Sequence, residues 1–172
     1  QWAVRDLVNG GIRGAKKFGD LMRLRARFVD DVDVEIESPD GRRVRSDEDR
    51  VHDFIGEHIG ATVRLERLRP ADDLDHYRRG QPGSADVMEE LRAIFGREGD
   101  EPLPDFSVFP PEVFEFESPP GAYYDCWPLM VMSTSALRSL ENAVPDSVVD
   151  VRRFRPSLVI DTGDVDGHPE FD

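Results

Sequence analysis

The residues with the greatest capacity for chemistry lie in the last third of the chain. In Asp150-Val151-Arg152-Arg153-Phe154-Arg155-Pro156 three arginines fall within four residues, directly before the strand-like run Ser157-Leu158-Val159-Ile160. A guanidinium is a planar fork that binds phosphate or carboxylate bidentately. The run is therefore either a surface series paired with neighbouring aspartates or the wall of an anion pocket. Upstream, Ser133, Thr134 and Ser135 separate an apolar strand, Trp127 to Met132, from a helical pattern over Ala136 to Leu140. A helix start presents unbonded N–H groups and a positive dipole end, so hydroxyls placed there either cap the helix or line a phosphate site.

Side chains alternate along an extended segment. With Phe154 in the core, Arg153 and Arg155 share the opposite face and Arg152 falls beside Asp150. Pro156 restricts the residue before it to extended backbone, which predicts Arg155 as a preorganised anion clamp and Arg152 and Arg153 as structural.

Other constellations are weaker. A lone Cys126 excludes an internal disulfide and a multi-thiolate zinc site. It reads as a small buried apolar group, or alternatively as a metal-binding thiolate. His52 and His58 stand six apart on a helical stretch, the wrong spacing for a shared metal, and His76 and His168 fall in loops. Gly10-Gly11-Ile12-Arg13-Gly14 looks like a phosphate-binding loop, but it sits between two strand patterns with no following helix, so a hairpin is expected. Asp161 to Gly167 looks like a calcium loop without the flanking helices. Neither a Ser/His/Asp order nor a carboxylate pair stands out.

Elements able to position these residues follow from periodicity. Residues 2–8 alternate, Asn9-Gly10-Gly11 turns, and 12–17 return antiparallel. A second hairpin joins 24–29 to 32–37, and Pro39-Asp40-Gly41 makes a third turn. Ser46 and Asp49 resemble a helix N-cap before Val51, Phe54, Ile55 and Ile59, and Gly60 ends that helix. A strand over 62–68, a loop over 69–85 and a helix over 86–95 follow. Residues 97–121, dense in proline and interleaved with Phe106, Phe109, Phe114 and Phe116, read as an ordered connection. The expected fold is mostly β with short helices (α+β), as two linked, mostly antiparallel β-barrel-like units. They span 1–96 and 122–172, joined by 97–121, the second unit incomplete. The chain opens inside a strand without Met and closes without a stop signal, which reads as truncation at both ends.

Thirty-six acidic residues stand against 22 basic ones, a net charge of −14, and only Lys16 and Lys17 among the basic residues are lysines. Such a balance disfavours nucleic acid, because phosphate neutralisation needs a basic face. No window is apolar enough for a membrane span and no signal peptide is visible, so a reducing cytoplasm is expected. The Asp-rich, Lys-poor bias resembles a high-GC or salt-adapted proteome.

The block from Asp150 to Ile160 resembles the signature of MOSC (molybdenum cofactor sulfurase C-terminal) domains, in which an Arg-Phe-Arg-Pro-Asn core precedes a strand. Tyr124 to Leu129 with Ser133 to Leu140 is similar to the preceding strand and helix start of that domain. Trp2 to Asp6, Gly14 to Lys17 and Leu21-Met22 are similar to the β-barrel domain found before it, as in the mitochondrial amidoxime reducing component. The resemblance implies a molybdenum-cofactor (molybdopterin) protein that reduces N-hydroxylated compounds or carries sulfur, with pyridoxal phosphate as a further family association. It implies that Arg155 contacts the cofactor, that Ser157 occupies the place of the family's Asn, and that Ser133, Thr134 and Ser135 line the phosphate end. The family's metal-ligating cysteine is expected beyond Asp172, so no metal ligand and no catalytic residue is assigned within the chain. Implied partners are the pterin, a small-molecule substrate and a redox or sulfur-donor protein. The alternative is a non-catalytic anion-binding or sulfur-relay module that docks on a desulfurase or reductase.

Overall fold

The computed structural model describes residues 1–124 and 127–163. The chain divides into two compact units, Gln1–Cys126 and Trp127–Asp172.

In the first unit two three-stranded antiparallel sheets share one helix. Strands β1 (Trp2–Asp6), β2 (Ile12–Arg13) and β6 (Val63–Arg67) form one sheet in the order β2-β1-β6, with Val4 opposite both Arg13 and Leu65. Strands β3 (Arg25–Phe28), β4 (Val34–Glu37) and β5 (Arg43–Arg45) form the other in sequence order. Helix α1 (Val51–Ile59) buries Val51, Phe54 and Ile55 with Val4, Val63 and Leu65 of the first sheet and Val34, Ile36 and Val44 of the second. This is the core that the alternation predicted, built from one face of each sheet. On the outer face of the second sheet Arg25 pairs with Glu37 and Arg27 with Glu35, while Arg43 and Arg45 lie across from the same two glutamates.

Capping differs at α1. Its first turn has no side-chain cap, and Ser46 instead donates to Asp33 at 2.9 Å and accepts from Val34 N–H at 3.0 Å, tying β4 to β5. A short Ser hydroxyl satisfies whichever orphan group is nearer, and here that is a strand edge. Gly60 ends the helix in the left-handed region as expected (φ 69°).

The Asn9-Gly10-Gly11 segment is a turn, not a phosphate loop. Gly10 and Gly11 both have positive φ, and the Asp6 carboxylate accepts from the Val8 and Asn9 N–H groups inside it. Gly80 crosses it so closely that a Cβ there would lie 2.1 Å from the Gly10 carbonyl oxygen. The predicted loop over 69–85 contains one helical turn, α2 (Leu74–Tyr77), and helix α3 (Val87–Ile94) follows, capped by Asp86. The Pro/Phe-rich stretch lies within the first unit. A single helical turn, α4 (Glu112–Glu115), leads into Phe116, which bridges antiparallel to Arg78, while Phe106 gathers Phe95, Phe109 and Phe114 around it.

The second unit differs from expectation in the direction of its strand pairing. Strand β7 covers Val131–Ser133 only, helix α5 spans Thr134–Ala143, and β8 (Leu158–Ile160) returns parallel to β7. A helix between two strands carries the chain back to its starting side, which makes the pair parallel. The molecule is thus α+β, with mixed sheets and short helices, and no closed barrel forms among the described residues. No helix among them is long and apolar enough to cross a membrane.

Candidate functional site

Strand β7 delivers Ser133 to the start of α5, opposite Ile160 at the end of β8. Ser133 and Ser135 are each only 1% exposed. Ser133 Oγ accepts from Ala136 N–H at 3.0 Å and lies 3.0 Å from Ser135 Oγ. The turn after β8 closes over the same helix start. Thr162 Oγ1 accepts from Ser135 N–H at 3.1 Å, Thr162 N–H donates to Thr134 Oγ1 at 3.1 Å, and Arg138 Nη2 donates to the Gly163 carbonyl at 2.7 Å. Two of the orphan amides of α5 are therefore satisfied by the chain's own hydroxyls, and the Ser/Thr cluster acts here as a cap. Sequence spacing identified three of its members and missed Thr162, which arrives from 27 residues away.

Arg155 stands at the other end of the strand pair. Ser157 N–H donates to the Met130 carbonyl at 2.8 Å and Ser157 Oγ accepts from Met130 N–H at 3.3 Å, at the entry to β7 and β8. Three residues of extended chain, roughly 10 Å, separate this end from Ile160 and the hydroxyl cluster. The two expected anion devices sit at opposite ends of one strand pair and do not converge.

Arg152 pairs with Asp150 as predicted, on a different backbone. Residues Val151–Arg153 form a 3-10 turn rather than an extended segment, with Asp150 as its cap. Arg152 donates to both Asp150 carboxylate oxygens, its Nε at 3.0 Å from each, and Arg153 Nη1 donates to the Val148 carbonyl at 2.8 Å. The Arg152 guanidinium holds the Asp150 carboxyl down at about 2. Arg155 is exposed, with no hydrogen bond or ion pair among the described residues. It is not extended. With φ 51° it is the one non-glycine residue of left-handed backbone among those described, a conformation that costs an L residue roughly 1–2 kcal/mol. Pro156 excludes the helical region for the residue before it, and once the 3-10 turn has closed on Phe154 the remaining route into β8 is through the left-handed region.

An anionic group fits Arg155, whose five donors are uncommitted among the described residues, and Ser157 supplies one hydroxyl where an amide would supply two N–H groups. Cys126 and His168, the other residues weighed as metal ligands, lie outside the described residues.

A second polar cluster, in the first unit, went unnoticed in the sequence because its members come from four places. His76, expected in a loop, lies on α2 with a side chain 6% exposed. Arg5 Nη2 contacts His76 Nδ1 at 2.9 Å, Tyr123 Oη contacts His76 Nε2 at 2.5 Å, and Tyr123 Oη donates to the Arg67 carbonyl at 2.8 Å. A guanidinium has donors only, so Nδ1 is the acceptor and the ring proton sits on Nε2. Burial, with the Arg5 charge, holds the His76 pKa below its ordinary value, and burial pushes the Tyr123 hydroxyl up to about 12. Both groups are thus kept neutral near pH 7.

No protein-family model, curated protein or solved structure matches this chain.

Proposed function

We propose that the chain is part of a molybdenum-cofactor-binding protein of the MOSC type, in which Arg155 holds an anionic group of the pterin. In this reading the β1–β6 unit corresponds to the barrel-like domain before a MOSC domain, and the β7–α5–β8 unit to the beginning of the MOSC domain itself. When bound, the cofactor supplies two-electron or sulfur-transfer chemistry. The chain's own contribution is recognition and orientation.

The observation that supports the reading is the division of the arginines. Arg152 and Arg153 are tied to Asp150 and Val148, whereas Arg155 is exposed and held in a strained backbone conformation by the proline after it. Strain of that kind concentrates where a side chain must be aimed. The Ser133–Thr134–Ser135 cluster supports it less, because its hydroxyls already bond within the unit. Its role is to fix α5 against the 161–163 turn and so hold β8, which begins three residues after Arg155.

The test uses the full-length protein expressed in a host that makes molybdopterin, with molybdenum measured by mass spectrometry and pterin by fluorescence after oxidation. Arg155→Ala should lower loading about ten- to a hundred-fold, the worth of one bidentate charge-assisted contact at roughly 1.5–3 kcal/mol. Arg152→Ala should load normally. Purification of the wild type with neither molybdenum nor pterin refutes the proposal, and equal loading of wild type and Arg155→Ala refutes the role of Arg155.

A further inference from the structure

Both lysines of the chain, Lys16 and Lys17, line one cavity of about 470 Å³ in the first unit, between the turn after β2 and helix α3. Phe18, Ala93 and Ile94 form its apolar side. Arg13 borders it but is committed elsewhere, 5% exposed and bonded to Glu117 at 3.2 Å and to the Gln81 carbonyl at 2.8 Å.

Inside the cavity the chain has built a cradle for a carboxylate and filled it with its own. Glu90 Oε2 accepts from the Gly83 N–H at 3.0 Å and the Ser84 N–H at 3.4 Å, and Glu90 Oε1 pairs with Lys17 Nζ. Successive backbone N–H groups facing an ammonium form a concavity that selects anions. Burial and the nearby Arg13 and Arg79 guanidiniums hold the Lys17 pKa below its ordinary value, so this ammonium benefits from an anion placed against it. Among the described residues the Glu90 side chain is held only by these three contacts. No residue of α3 is buried, and rotation of the Glu90 side chain vacates the cradle while Ala93 and Ile94 of the same helix stay in place.

We propose that this cavity binds a small carboxylic acid with an apolar body. The ligand carboxylate replaces Glu90 on Gly83, Ser84 and Lys17, and the body lies on Phe18, Ala93 and Ile94. Glu90 is then an internal competitor that keeps the cradle closed in the ligand-free protein. A planar two-oxygen group already occupies the cradle, which favours a carboxylate over a phosphate.

The probe is hexanoate, titrated by calorimetry into the whole chain as wild type, Glu90→Ala and Glu90→Gln. Both variants should bind about ten-fold or more tightly than wild type, because the competing charge is gone. Adding Lys17→Met to Glu90→Ala should abolish the gain. If Glu90→Ala does not fold, Glu90→Gln decides, since it keeps the side chain's size and an acceptor for the Gly83 N–H. Hexanol and inorganic phosphate are the contrasting probes. Binding no tighter in the variants than in wild type overturns the proposal, as does hexanol binding equal to hexanoate, or phosphate binding tighter than hexanoate.

Discussion

Tyr123→Phe removes one oxygen from the His76 cluster and breaks two hydrogen bonds at once. The His76 Nε2–H loses its acceptor, and the Arg67 carbonyl loses the Tyr123 donor. The imidazole is nearly buried, so its orphaned N–H costs about 1–3 kcal/mol, while the Arg67 carbonyl lies on an exposed edge where water compensates most of the loss. The net expectation is a loss of roughly 1–3 kcal/mol. For a chain of this size that corresponds to a fall in Tm of about 2–4 °C per kcal/mol. Urea denaturation followed by circular dichroism measures the energy, and nitrogen NMR of labelled histidine reads the tautomer. Wild type should show a protonated Nε2 and a bare Nδ1. A stability change below about 0.5 kcal/mol, or a His76 protonated on Nδ1, would refute the assignment of Arg5 as the group that selects the tautomer.

The same cluster sets a pH window. The folded His76 pKa is depressed, so its contribution is present above the unfolded value near 6.5 and is lost as pH falls below it, and His76→Gln should flatten that acid limb in pH-dependent urea melts. The folded Tyr123 pKa is raised to about 12, so its contribution is intact below the unfolded value near 10 and fades between about 10 and 12, a limb absent from Tyr123→Phe. Gly80→Ala places a Cβ against the Gly10 carbonyl and should cost roughly 1–3 kcal/mol in thermal unfolding, whereas Gly14→Ala, with open space around it, should cost far less. Ser133→Ala removes the α5 cap and should cost about 1 kcal/mol, read as faster amide exchange in the first turn of that helix. Arg155→Gly should relieve the left-handed strain and leave Tm unchanged or slightly raised while lowering cofactor loading as Arg155→Ala does, and a clear loss of stability would mean that the side chain is structural.

Local patterns in the sequence were sufficient for most of the first unit. The alternation in β1, β4 and β6 and the helical spacing of Val51, Phe54 and Ile55 placed the core, because burial of one face is written at the period of the element itself. Gly60 marked a helix end by chemistry confined to one turn. The pairing of Arg152 with Asp150 was legible for the same reason, two residues apart on one short segment. Tertiary structure alone decided the rest. Thr162 completes the α5 cap from 27 residues away, Tyr123 meets His76 across 47, and Gly80 is a glycine because a distant turn passes 2.1 Å from where its Cβ would be. The backbone of Arg155 also escaped the sequence reading. Pro156 forbids the helical region and leaves two others open, and which of them is taken depends on where the Val151–Arg153 turn ends and where β8 must begin to pair with β7. That choice aims the guanidinium, and it is made by strand pairing at long range, which no local spacing encodes.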